Sequence, residues 1–288
     1  MIELDISPDE VRSGRMTPEH VTAAVSALQA EGFVVLKDVV DQGHLETLRT
    51  KMLADVDAIL ARDDAPYNFN IGNVQQDPPP FPPYLFQDIL LNEMVIAVTH
   101  ALLGDGVKNA YYSGNTALKS DKRQPPHADV GHIWPDMPVA TPAFSVVVNV
   151  PVVDMTPTNG STELWPGSHL DTTVSMNGSI SVPTDVLERR RQIAPPIQPS
   201  VRAGSVLIRD IRLWHAGMPN HTDAPRPMIA MIHWVHWWNV GEVIRFPKGT
   251  EPLFQHPVLK TQAVFVEGPI DYIHHNEAYD FQKEEKSQ

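Results

Sequence analysis

The sequence predicts an α+β fold with a mainly β core, on three observations. Apolar residues recur at helical spacing through roughly the first hundred positions. From about residue 107 onward the chain changes to short β-rich runs broken by Gly, Pro, Asn and Asp. Helices first and strands later is the order expected when helices buttress one face of a mainly antiparallel sandwich or barrel.

Thr17 and Pro18 read as an N-cap and first helical position. Val21, Ala24, Val25 and Leu28 then keep helical spacing until Gly32 ends the run. Phe33 to Leu36 is a short β-rich segment, and Leu45, Leu48, Met52, Val56 and Ile59 mark one face of a second long helix. Residues 65–84 carry Pro66, Pro78, Pro79, Pro80, Pro82 and Pro83, whose missing N–H groups and fixed φ exclude regular helix or central strand. This loop is either a semi-rigid connector or a wall over a substrate pocket. Helical spacing returns over 85–103 through Phe86, Ile89, Leu90, Met94, Ala97 and Val98, and Gly104 ends it. Strands are expected at 143–150, 205–209 and 228–238, and the polar tail after 276 should fray.

At 288 residues the chain suits a single domain. Within it, 1–106 is a helical scaffold with the Pro-rich loop, 107–240 the core, and 241–288 a C-terminal extension. A net charge of -13 disfavours nucleic acid and anionic membranes, which attract clustered Lys and Arg, and leaves a small molecule as the expected partner. With 0 Cys, thiolate metal sites, disulfides and thiol nucleophiles are excluded, so any metal must use nitrogen and oxygen ligands. The N-terminal residues bring acids before any apolar run, and no run is long enough to span a bilayer, so an intracellular location is expected. No heptad compels an assembly, which leaves monomer or homodimer.

Chemistry enters with His127-Ala128-Asp129. On an extended strand, residues two apart project to the same side and can present imidazole and carboxylate to one ion. Alone the pattern is common. It gains weight from a second His far along the chain, in Trp214-His215-Ala216-Gly217, with Arg226 following at the start of a β-rich run. Two His and one carboxylate bind one face of iron(II) and leave the opposite positions open for co-substrate and O2. Among the 13 His, His233 and His236 fall on opposite faces of a strand, His169 belongs to a turn, and His274 with His275 is expected to be solvated.

QPPHAD at 124–129, TNGSTELWPGSH at 158–169, AGSVLIRD at 203–210 and LWHAGMPNHTDAPRP at 213–227 resemble the phytanoyl-CoA dioxygenase family. The resemblance implies a double-stranded β-helix (jelly roll, cupin-like) and a 2-oxoglutarate-dependent oxygenase. Carried over position by position, it makes His127, Asp129 and His215 ligands of Fe(II) and Arg226 the partner of the distal carboxylate of 2-oxoglutarate, with O2 as the second co-substrate. Guanidinium pairs a carboxylate bidentately, which explains Arg rather than Lys. The family's topology further implies co-substrate contacts from Asn115 or Thr116 and at Asn149, and Gln124 is a further candidate close to His127. His132, if a turn brings it near, and Trp134 and Trp214, as aromatic pocket walls, are candidate substrate contacts. Because Asp129 is present, no ligand position is vacated for halide. Hydroxylation is the expected outcome, with desaturation or epoxidation as variants, and the Trp-rich second half suggests an apolar secondary metabolite as substrate. Two other readings compete: a cupin-like metal enzyme that does not use 2-oxoglutarate, and a non-catalytic jelly-roll binding module.

Overall fold

The computed structural model describes residues 3–176, 178–241 and 243–280. Strand β1 (Glu3–Asp5) and helix α1 (Pro8–Ser13) precede the first helix foreseen from sequence. That helix, α2 (Pro18–Glu31), starts where the Thr17 hydroxyl accepts from the His20 amide. It stops where Gly32 turns into the left-handed region at φ 85°. Strand β2 (Phe33–Lys37) and helix α3 (Gln42–Leu60) follow as the spacing predicts.

The Pro-rich loop contains a short strand, β3 (Asn73–Gln75), beyond what the sequence suggested. The expected single helix over 85–103 is two, α4 (Gln87–Leu90) and α5 (Glu93–Leu103). The break comes at Asn92, whose side chain accepts from the amides of Met94 and Val95 and so caps a new helix instead of continuing the old one.

Strands β4 (Lys108–Ala117), β5 (Ser145–Pro151), β6 (Glu163–Leu164), helix α6 (Thr184–Ile193), β7 (Val206–Asp210), β8 (His215–Ala216) and β9 (Arg226–Trp234) build the second half. The β-rich run expected to 238 leaves the sheet after Trp234, where the chain folds back and stacks Trp238 on Trp234 with centroids 5.4 Å apart. Strands β10 (Ile244–Pro247), β11 (Lys260–Thr261) and β12 (Ala263–Val266) complete the order.

The main sheet has eight strands, in the order β1-β2-β7-β5-β9-β4-β11 with β3 also paired to β4. Its centre is antiparallel as expected, while β1 on β2 and β11 on β4 are parallel edges. Side chains alternate across it with period two. Val146, Val148, Val150, Ile208, Ile229 and Met231 join Leu28, Leu48, Met52, Val95 and Val98 in the principal core, under the helices. Val147, Asn149, Arg209, Met228, Ala230 and Ile232 face the other way, into a cavity. That cavity is closed by a second, fragmentary layer: β6 pairs β8, and single bridges join Leu164 to Ile197, His127 to His215 and His127 to Ser181. The two layers make the double-stranded β-helix. No helix among the described residues is long and apolar enough to cross a membrane.

The tail foreseen as frayed after 276 is in fact tied down through its described part. Tyr279 exchanges hydrogen bonds with the Pro-rich loop, its amide donating to Tyr67 O at 2.9 Å and its carbonyl accepting from Phe69 N at 2.7 Å. His275 is not merely solvated, since its Nδ1 lies 2.6 Å from Asp77 Oδ2. The rest of the tail, 281–288, lies outside the described residues.

His233, on the helix side of β9, is buried with Nδ1 3.0 Å from Thr99 Oγ1, and burial pushes its pKa down to about 3. The unfolded chain takes up this proton near pH 6.5 and the folded chain does not. Stability from this group is therefore intact above about pH 6.5 and is lost as pH falls toward about 3. Urea unfolding of His233→Leu should show a decline between pH 7 and pH 5 smaller than wild type's by about 2 kcal/mol.

Candidate functional site

His127 and His215 lie directly opposite one another and exchange both backbone hydrogen bonds, His127 N to His215 O at 3.0 Å and His215 N to His127 O at 2.9 Å. Such a pair projects its side chains to the same side. The two rings sit with centroids 4.4 Å apart, and Asp129 joins them because it follows His127 at the period of a strand. Asp129 Oδ1 lies 3.4 Å from His215 Nε2 and 3.9 Å from His127 Nε2. One ligand atom from each of the three falls within 4.8 Å of the others.

The second nitrogen of each ring fixes its tautomer. His127 Nδ1 is 2.8 Å from Pro125 O and His215 Nδ1 is 3.0 Å from Leu213 O; a carbonyl can only accept, so each Nδ1 carries the hydrogen. Both Nε2 lone pairs then point with Asp129 Oδ1 toward a common point. Two imidazole nitrogens and a carboxylate oxygen gathered this closely form a donor set that fits a divalent metal with nitrogen and oxygen ligands. Burial, reinforced by the neighbouring His215, drives the His127 pKa down to about 3, which keeps its lone pair available. Burial by itself would raise the Asp129 carboxyl, but the Arg209 guanidinium beside it outweighs burial and holds the group ionised, well below the usual carboxylate range.

Arg226, the first residue of β9, is buried, 3% exposed. Its Nη2 donates to Gly160 O at 2.6 Å and its Nε to Asn159 O at 3.5 Å, so the Asn159-Gly160 turn cradles the guanidinium. Desolvation lowers its pKa to about 10, which still leaves it charged at neutral pH. Among the described residues no carboxylate pairs with it. A buried, uncompensated cation lining the cavity suits a carboxylate ligand.

The cavity has a volume of about 300 Å3. Asn115, Gln124 and Asn149 line it as the sequence suggested, but each has a structural partner too. Asn115 Oδ1 accepts from Asn68 Nδ2 at 3.2 Å, and Asn149 Oδ1 accepts from Arg209 Nε at 3.3 Å. Gln124 Oε1 accepts from Gly217 N at 2.7 Å, stapling the segment before His127 to the segment after His215. Gly217 has to be a glycine for this approach, because a Cβ there would stand 2.6 Å from Gln124 Oε1.

Four expected residues lie elsewhere. Thr116 faces the opposite side of β4 from Asn115 and donates to Gln76 Oε1 in the core. Trp214 alternates with His215 and packs, fully buried, with Ala128, Trp165 and Val182. Trp134 is 53% exposed on the surface, and His132 is buried beside Val174, to whose carbonyl its amide donates at 2.8 Å. None of the four lines the cavity.

Arg209, Phe69 and Tyr279 line the cavity and were not foreseen. Arg209 Nη2 is 2.6 Å from Asp129 Oδ2. The Phe69 ring leans on His127 with centroids 5.0 Å apart, so the Pro-rich loop is a wall of the site, as the second of its two readings had it. A charged residue inside the apolar run AGSVLIRD was the available signal for Arg209, whereas nothing local marks Phe69 or Tyr279.

A family model for phytanoyl-CoA dioxygenase matches residues 28–228. The chain belongs to the phytanoyl-CoA dioxygenase family. Membership places it among the 2-oxoglutarate-dependent, non-haem iron oxygenases, in agreement with the His-Asp-His cluster. Solved structures agree on the fold. AviO1 from Streptomyces viridochromogenes Tue57 is similar with 21% identity and a TM-score of 0.55, over 78% of this chain and 99% of its own. The epimerase SnoN in complex with Fe3+, alpha ketoglutarate and nogalamycin RO gives 17% identity and a TM-score of 0.56, over 91% of this chain and 99% of its own. HygX from Streptomyces hygroscopicus with nickel, 2-oxoglutarate and hygromycin B bound gives 15% and 0.55, over 85% of this chain and 97% of its own.

The Gln124 staple sits between the two histidine segments, so removing it should loosen both. Gln124→Ala is expected to lower Ni(II) affinity by about tenfold in calorimetric titration, with circular dichroism unchanged.

Proposed function

We propose that this oxygenase acts on a small-molecule secondary metabolite at an iron(II) held by His127 Nε2, His215 Nε2 and an Asp129 oxygen, with Arg226 gripping the distal carboxylate of 2-oxoglutarate. The observation that carries the reading is the placement in one cavity of a His-Asp-His ligand cluster and a buried guanidinium that no carboxylate pairs among the described residues. Metal suits the first and the far carboxylate of the co-substrate suits the second.

When bound together with O2, iron(II) and 2-oxoglutarate supply an oxidant able to take hydrogen from an unactivated carbon, and the oxo acid leaves as succinate and CO2. The chain's own residues bind, orient and exclude water. The imidazoles offer Nε2 because Pro125 O and Leu213 O hold their Nδ1 hydrogens. Arg226 fixes the far end of the oxo acid, and its fork geometry sets the direction in which the other end approaches the metal. Phe69, Val147, Ile180, Met228 and Ile232 give the cavity an apolar side that keeps water from the reacting centre and suits an apolar skeleton. The basis for an apolar substrate is thus this wall and not the tryptophans, none of which lines the cavity. Asn68, Asn73 and Gln75 supply polar contacts on the Pro-rich loop. Asp129 would occupy the position a halide would need, which disfavours halogenation and leaves hydroxylation as the default outcome. The neighbours solved with hygromycin B and nogalamycin RO support a secondary metabolite as substrate class.

Anaerobic calorimetry of metal-stripped protein tests the reading. 2-Oxoglutarate should bind only after Fe(II); Asp129→Ala should weaken the metal and Arg226→Ala the oxo acid, each by more than about tenfold. Wild type that binds iron and ignores 2-oxoglutarate would return the site to an oxo-acid-independent metal enzyme. Protein that binds neither would be the non-catalytic module.

A further inference from the structure

Arg209 presents an arrangement that the reading above leaves unused. It lies on β7 facing the cavity, its side chain 7% exposed. Nη2 donates to Asp129 Oδ2 at 2.6 Å, Nε donates to Asn149 Oδ1 at 3.3 Å, and Nη1 is buried without a partner. The Asp129 carboxylate is thereby divided. Oδ2 belongs to the guanidinium, while Oδ1 faces the two imidazole Nε2 atoms at 3.4 and 3.9 Å. The division is enforced by the sheet: β7 fixes the Arg209 backbone between β2 and β5, where it pairs with Phe33 and Val147, and Asn149 on β5 holds the guanidinium's near edge.

We propose that Arg209 is a positioning residue that makes Asp129 a one-oxygen ligand and so keeps a coordination position open beside 2-oxoglutarate for O2; the proposal rests on the metal site argued above. Two imidazoles and one carboxylate oxygen occupy one face of an octahedral ion and leave the opposite face free. A carboxylate with both oxygens available can chelate instead and consume a position on that face. With one position gone, an oxo acid that binds through two atoms leaves none for O2. A guanidinium held against Oδ2 prevents this, since turning that oxygen to the metal would leave a buried cation without its anion. Arg209 thus acts through Asp129, and its strong, directed hydrogen bond selects the binding mode.

The test loads wild type, Arg209→Met and Arg209→Lys with Mn(II) and reads metal affinity, water-proton relaxation without co-substrate, and 2-oxoglutarate affinity. Relaxation reports how many metal positions hold exchangeable water. Arg209→Met should keep Mn(II) affinity within about threefold while relaxation enhancement falls by about one third, one of three open positions being lost. 2-Oxoglutarate, which still finds two positions, should bind within about threefold of wild type. Arg209→Lys, which keeps a cationic donor, should restore much of the relaxation. Unchanged relaxation in Arg209→Met overturns the proposal, and if 2-oxoglutarate affinity falls instead, Arg209 contacts the co-substrate directly. Loss of Mn(II) binding in both variants also overturns it and makes Arg209 a structural support. Wild type that does not bind Mn(II) would overturn the metal site itself, and this proposal with it.

Discussion

The site depends on one pair of backbone hydrogen bonds, those exchanged between His127 and His215. They join two segments far apart in sequence, and because an antiparallel pair places opposite side chains on the same side, they bring two imidazoles together without any contact between the rings being needed. Asp129 then follows from the strand period, and Gln124 and Gly217 extend the same seam by a further hydrogen bond. The second layer of the jelly roll is otherwise thin, consisting of β6, β8 and isolated bridges. Its geometry is held by hydrogen bonds of this kind and by the Trp165 and Trp214 cluster behind it. The main sheet is the reverse, continuous and backed by helices α2, α3 and α5.

Charge supplies the second layer of organisation. A protein interior tolerates a buried ion only when its partner is near. Arg209 has such a partner in Asp129, and Arg226 has carbonyl oxygens but no carboxylate among the described residues. The two guanidiniums therefore differ in kind although both line one cavity. One is paired with a carboxylate of the chain; the other has carbonyl partners and no carboxylate among the described residues. The positive-φ turn at Gly160 serves the second guanidinium, since its carbonyl is what aims Arg226. What reads in the sequence as a turn dipeptide also holds the Arg226 guanidinium.

Much of this was legible in the residues. The caps of α2, the helical faces of α2 and α3, the positions of β5, β7 and β9, and the residues of the triad followed from local spacing, capping chemistry and the ordered motifs. The misses have three causes: strand register, composition and side-chain capping. Thr116 and Asn115 are adjacent and chemically alike, and strand period decides which one faces the cavity only once the register of β4 is known. Trp214 beside His215 failed in the same way, as one position along a strand reverses the face. Trp134 was read from composition, which cannot distinguish an aromatic wall from an exposed ring. The split at Asn92 turned on whether a side chain would cap, a competition that apolar spacing does not record.

By itself the sequence determined what depends on neighbours along the chain: helices, strand propensities, turns, ligand types without cysteine, and a motif order that belongs to one family. Tertiary structure decided whatever depends on residues meeting from distant segments. It placed Phe69 of the Pro-rich loop against His127, bound Tyr279 to that loop, and set Arg209 on the outer oxygen of Asp129. A pairing of this kind is fixed by sheet order and register, which are settled by the packing of the whole domain rather than by either partner's local sequence, so no local pattern along the chain records it.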